Sequence, residues 1–178
     1  MSYCAVDKVL QVTANAIYIL NENGVPEEAE PVCNDGQVTL PAISFSTTDV
    51  TYMGTMTVAD LTRVGDVAIT LSMPTYADSL KVANAKGILI RFAMQIEKAE
   101  TGESDYQGFA VYAYGRSSGF GGGALTPGDA SQGDITYHCT RYKFIDQETN
   151  AELINIDRRA GIIAINGVNT RKKLNSLL

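Results

Sequence analysis

The chain has one histidine, His138, so any imidazole-based general base or Ser/His/Asp group must be built around it. His138 adjoins Cys139 in a stretch that reads as a strand, where neighbouring side chains point to opposite faces and do not share a metal easily. His138 therefore reads as a packed or interfacial histidine. No Gly-x-Ser-x-Gly elbow or local cysteine-protease signature surrounds a nucleophile. Gly119-Phe120-Gly121-Gly122-Gly123-Ala124 matches a dinucleotide-type glycine pattern after a probable strand. However, the chain continues through Leu125-Thr126-Pro127-Gly128-Asp129 as loop, where a phosphate-cradling turn would open a helix. Asp146, Glu148, Glu152 and Asp157 are carboxylates that could in principle form an acid/base pair, but turn or edge positions account for them adequately and are the reading preferred. Three cysteines, Cys4, Cys33 and Cys139, form no disulfide framework and suit a reducing site of synthesis. The residues predict no catalytic group, no metal site and no cofactor.

The elements that would position these groups are mostly strands. Ile88, Ile90, Phe92, Met94 and Ile96 alternate with Leu89, Arg91, Ala93, Gln95 and Glu97, a period of two that predicts a half-buried strand. Val67, Ile69, Leu71 and Met73 repeat the pattern against Asp66, Ala68, Thr70 and Ser72. Further strands are predicted over residues 16–20, 37–45, 106–114, 135–145, 151–157 and 161–166. Tyr76, Leu80 and Ala83 predict a short helix within 74–86, with Pro74 suited to an early helical position and Gly87 to the C′ cap. The chain thus reads as one domain over residues 1–178, mainly β with one short helix.

Three segments fit neither core nor ordinary connection. Residues 22–36 carry Glu27, Glu28 and Glu30 between Pro26 and Pro31 and read as an acidic loop. Residues 117–133 are rich in glycine and read as a long flexible loop with an external job. Residues 47–65 are threonine-rich but contain Val50, Tyr52, Met53, Met56, Val58 and Leu61, with Gly54 placed to form a hairpin tip.

The 178 residues carry 20 acidic and 14 basic side chains, a net charge of −6, which argues against gripping nucleic acid directly. The only concentration of positive charge is Arg158, Arg159, Arg171, Lys172 and Lys173; the rest of the chain holds nine basic groups. A molecule polarised in this way can meet copies or partners head to tail. The start of the chain has neither a basic region nor the apolar run of a signal peptide, and no stretch is long and apolar enough for a membrane anchor. These features predict synthesis in a cytoplasm as a soluble protein.

The run Glu152-Leu153-Ile154-Asn155-Ile156-Asp157, then Ile162-Ile163-Ala164-Ile165-Asn166-Gly167-Val168-Asn169 and Arg171-Lys172-Lys173-Leu174, resembles the closing segment of contractile-tail tube proteins. Val38-Thr39-Leu40-Pro41-Ala42-Ile43 is similar to that family's early strand, and 87–97 followed by 106–114 to its central strand pair. The resemblance covers most of the chain from about Gln37 onward. It implies a small β-barrel or sandwich with a flanking helix, six subunits to a ring, and rings stacked into a hollow tube inside a contractile sheath. It also implies a phage tail or extracellular phage-tail-like particle, including bacteriocins. Sheath, baseplate and tail-terminator proteins would be its partners, with a tape-measure protein in the lumen and DNA passing without specific binding.

Within that frame, the 47–65 arm is expected to reach an adjacent subunit or ring through Val50, Tyr52, Met53, Met56, Val58 and Leu61. Arg158, Arg159, Arg171, Lys172 and Lys173 are expected to supply electrostatic contacts to sheath or ring. From a different class, the residues also allow a monomeric β-barrel that binds a small ligand in its mouth under a glycine-rich lid.

Overall fold

The computed structural model describes residues 8–20, 29–51, 53–99, 101–122, 126–128 and 132–177. In chain order the strands are β1 (Lys8–Leu20), β2 (Glu30–Asn34), β3 (Gln37–Thr39), β4 (Phe45–Thr51), β5 (Thr55–Val64) and β6 (Ala68–Met73). Helix α1 (Tyr76–Ala83) precedes β7 (Gly87–Glu97), β8 (Ser104–Gly121), β9 (Gly133–Asp146) and β10 (Glu152–Asp157). The chain closes with β11 (Ile162–Ile165), β12 (Val168–Asn169) and a single-turn helix α2 (Lys172–Asn175).

Ten strands form one antiparallel sheet in the order β12-β11-β10-β9-β8-β7-β1-β2. The far edge of β9 is shared, because β6 pairs with its first half and β10 with its second, and β3 pairs with β6. This branching curls the sheet around a barrel-like core. Ile17 of β1, Ile69 and Leu71 of β6, Ile88 and Ile90 of β7, Val111 of β8, Tyr137 of β9 and Ile156 of β10 are all buried in it. The alternation read in β6 and β7 is thus a core face, as its period demands. Phe92, Phe109 and Phe144 stack across three strands with ring centroids 5.5–5.7 Å apart. On the other face of β7, Leu89 packs with Leu20 and Ala110 in a second buried cluster, so that face is not simply polar.

Several boundaries differ from expectation, each for an identifiable reason. The helix spans Tyr76–Ala83, and Pro74 lies outside it, because Thr75 is the N-cap and its hydroxyl accepts from the Asp78 N–H. Asn84 ends the helix, while Gly87 is already in β7, where a Cβ would lie 3.0 Å from the Tyr114 ring. The 37–45 strand stops at Thr39 because Pro41 has no N–H to give a ladder, and Phe45 belongs to the next strand.

Part of the acidic segment is sheet: Val32 and Cys33 of β2 pack against the core, while Glu22, Glu27 and Glu28 lie outside the described residues. The glycine-rich segment is also strand as far as Gly121, held by pairs such as Phe120 with Ile135. Glycine permits this extension at Gly115, where a Cβ would fall 1.9 Å from the His138 carbonyl oxygen, closer than any side chain tolerates. β1, β8 and β9 accordingly outrun the predicted 16–20, 106–114 and 135–145. β12 and α2 were not expected.

Candidate functional site

The region that departs most from the core is the β4–β5 hairpin, a two-stranded sheet separate from the other ten. The chain turns at Met53 (φ 51°) and Gly54 (φ 140°), left-handed conformations that favour glycine at the second position. Cross-strand pairs alternate by face. Val50 faces Met56 and Thr48 faces Val58 on one side, whereas Asp49 faces Thr57 on the other and accepts a 2.7 Å hydrogen bond from its hydroxyl. The strands therefore have one apolar and one polar face, the pattern of a sheet covered on one side. No cover is present for the apolar face within the described chain: Met56 is 62% exposed, Val50 45% and Val58 42%, with Met53 at the tip 96%; Leu61, 48% exposed, follows Thr57 and Ala59 on the other face. Tyr52 lies outside the described residues.

A lone hairpin is marginal in water, so its root must be held. The Gly65 N–H donates to the Ser44 carbonyl (2.9 Å), and Val64 and Ile43 pack against the main core. The Thr170 hydroxyl donates to the Leu61 carbonyl at 2.8 Å, and the Arg158 guanidinium donates to the Gly65 carbonyl. Asp60 accepts from the Thr62 N–H (2.9 Å) and hydroxyl (2.5 Å) and pairs with Arg63 at 3.5 Å. Those Thr62 hydrogen bonds, helped by Arg63 and Arg171, hold the Asp60 carboxyl below its ordinary range. A cleft of ≈ 200 Å³ at the root is lined by residues that include Arg63, Val64, Arg158 and Arg171.

The basic C-terminal cluster is thereby divided. Arg158 and Arg171 are at the hairpin root, and the Arg171 Nε is buried without a hydrogen-bond partner. Lys172 and Lys173 are exposed on α2, while Arg159 lines a separate cleft next to His138.

Sequence reasoning missed the surroundings of His138. Its Nδ1 is 2.6 Å from Asp66 Oδ2 and its Nε2 is 2.8 Å from Ser118 Oγ. This resembles a Ser/His/Asp relay, and the geometry shows what it lacks. Asp66 is more than half exposed, and the N–H that follows Ser118, that of Gly119, donates to the Ser117 hydroxyl, so it is not free to hold an oxyanion. Ser118 sits in a register shift of β8, and the three side chains tie that irregularity to β9 and to the start of β6. Cys139 faces the core, and burial pushes its thiol up to about 12, which makes it inert as a nucleophile. Among the described residues, no group of His, Cys, Asp and Glu is arranged to hold a metal.

A curled antiparallel sheet with a filled core, two short helices and an exposed amphipathic hairpin define a β-rich fold. Residues 21–178 match the model of the family described as phage tail tube protein FII, and the chain belongs to that family. It is a structural tail-tube subunit and not an enzyme, as the resemblance to contractile-tail tube proteins implies.

No curated protein matches the chain. Among solved structures, it is similar to a chain of the PVC sheath-tube complex, an extracellular contractile injection system in the extended state. That match has 12% identity over 74% of this chain and 88% of the other, with TM-score 0.44. A chain of the sheath/tube terminator of the same system is similar at 13% identity over 79% and 99%, with TM-score 0.48. Hcp1 from the E. coli EAEC 042 pathovar is similar at 6% identity over 78% and 94%, with TM-score 0.39. The family assignment rests on the sequence match.

Proposed function

We propose that copies of this chain close into six-membered rings, that the rings stack into a hollow tube inside a contractile sheath, and that the β4–β5 hairpin is the arm joining neighbours. The observation that carries this reading is the uncovered row Val50, Met56 and Val58, with Met53 at the tip, on a hairpin paired to no other strand. At about 25 cal/mol per Å² of apolar area, covering these side chains contributes several kcal/mol of gross contact energy per subunit before ordering costs. Repetition along a filament of head-to-tail interfaces multiplies that contribution.

The exposed Lys172 and Lys173 suit contact with an acidic sheath surface, while Arg159, in its separate cleft, suits a contact between copies. Arg158 and Arg171 serve that contact indirectly by fixing the arm's root. A net charge of −6 suits a conduit along which DNA or a tape-measure protein slides without adhering. Baseplate and terminator proteins would cap the two ends, after synthesis of the subunit in the bacterial cytoplasm. The alternative of a ligand-binding barrel loses much of its lid, since Gly119 and Gly121 belong to β8.

The test is to replace residues 48–64 with a short Gly/Ser linker and compare light scattering and negative-stain micrographs with those of the wild type. A folded monomer in place of rings and tubes is expected. Normal tubes from the deletion would remove the arm's role, and a wild-type protein that never assembles would remove the reading altogether.

A further inference from the structure

Along β7 and β8 a cleft lined mostly by basic residues lies at one end and a group of carboxylates at the other. At the end where Gly87, Tyr114 and Arg141 stand side by side, a cleft of ≈ 580 Å³ is lined by Lys86, Arg116, His138, Arg141 and Arg159, with Asp157 the one carboxylate among its lining residues. Asp157 is engaged by Arg141 at 3.7 Å, and the Arg141 guanidinium also lies 5.4 Å from the centre of the Tyr114 ring. Among the described residues, neither Arg116 nor Arg159 has an ion-pair partner, and both are exposed. The cleft is a positive depression on a protein of net charge −6.

Ten residues further along β7, about 33 Å at the rise of an extended strand, the β7–β8 turn and its flanks carry Glu97, Glu103 and Asp105, with Lys98 beside them and Lys8 of β1 in register with Glu97. Lys98 engages Asp105 at 2.6 Å and, with the Tyr106 N–H, holds that carboxyl below its ordinary range. Glu103 is exposed and Glu97 half-buried. The two ends are complementary in charge, and the antiparallel strands between them set the distance, so one copy cannot bring its own turn to its own cleft.

We propose that the cleft lined by Arg116 and Arg159 is a docking site for the acidic β7–β8 turn of a second copy of this chain. The two surfaces differ, so the contact is head-to-tail and propagates. Opposed charge orients approaching copies and rejects the reverse orientation. This contact rests on the tube reading and is distinct from the hairpin arm. It supplies polarity and register, whereas the arm supplies apolar contact area.

The test uses the full-length protein at low and high salt, with sedimentation and negative-stain microscopy as readouts and circular dichroism as the check on folding. R116E/R159E and E97K/E103K are each expected to lose assembly about tenfold at low salt, and the chain carrying all four reversals is expected to recover it. R116Q/R159Q, which removes charge without reversing it, is expected to lose less and gives a second reading should the glutamates disturb folding.

Wild-type assembly by R116E/R159E, with tubes still forming, would overturn the cleft and leave the tube reading standing. Failure of the four-fold reversal to recover, in a chain that melts like the wild type, would overturn the turn as occupant. Cleft-dependent retention of a DNA oligonucleotide, with assembly unaffected, would overturn the proposal in favour of a phosphate site. A wild-type protein that stays monomeric at every salt would overturn both readings.

Discussion

β5 and β6 lie next to each other in the chain and are written in the same alternating code, yet they end in opposite environments. In β6 and the residue before it, Val67, Ile69 and Leu71 are completely buried and Met73 nearly so. In β5 and its partner, Val50, Met56 and Val58 form a shorter row, which ends at Asp60 on the same face, and stand in solvent. The difference lies in what each strand pairs with: β6 is held between β3 and β9 and shares its core with α1 and β7, while among the described residues β4 and β5 pair only with each other. Alternation therefore encodes a face that needs a cover. It does not say whether the cover comes from the same chain.

Substitutions on the two sides should separate folding from assembly. Leu71→Ala empties a fully buried site and should lower stability by about 2–5 kcal/mol, read as a lower urea midpoint. A smaller loss would mean that the curled core yields more easily than its packing implies. Tyr137→Phe should cost about 1–3 kcal/mol. The buried hydroxyl donates to the Ala85 carbonyl and accepts from the Gly115 N–H, both at 3.1 Å, and so pins the helix exit to the β8 irregularity. Protection of the Gly115 amide from exchange should fall with it.

On the hairpin, Val50→Thr, Met56→Thr and Val58→Thr should each change stability by no more than about 0.5 kcal/mol, as exposed positions do. Together they should abolish sedimentable assemblies. A large loss of stability from these three would show that the row is covered within its own chain, and the comparison would fail.

The smallest effect concerns acid. Because the folded Asp60 carboxyl titrates below its unfolded value, its contribution is present above the ordinary carboxylate range and is lost as pH falls through the lower folded pKa. The protection factor of the Thr62 amide, measured against its intrinsic exchange rate at each pH, should therefore fall in acid before the core opens. Asp60→Asn should remove that pH dependence while leaving β6 and β7 protected.

Much of this molecule is legible in short-range pattern. The period of two identified the core faces of β6 and β7, a helix was placed between them, and Gly54 marked the tip of a hairpin whose apolar content was too high for a loop. Local signals failed where the ladder overrode composition: the Gly-rich stretch became strand because β9 supplies partners through Gly121, and Glu30 to Asn34 became β2 because β1 does. Glycine and acidic runs report what a segment tolerates alone, not the pairing it gains.

The sequence by itself determined which residues alternate, where turns fall and that a basic cluster closes an acidic chain, because those properties depend on near neighbours. Only the tertiary structure decided that Arg158 would brace Gly65 across 93 positions, that Thr170 would clasp Leu61 across 109, and that His138 would meet Asp66 across 72. It likewise decided that Arg116 and Arg159 would share one cleft at the opposite end of the strands from Glu103. Such meetings follow from sheet order, register and the irregularities that bend the sheet, and those are set by the joint packing of all the strands around one core.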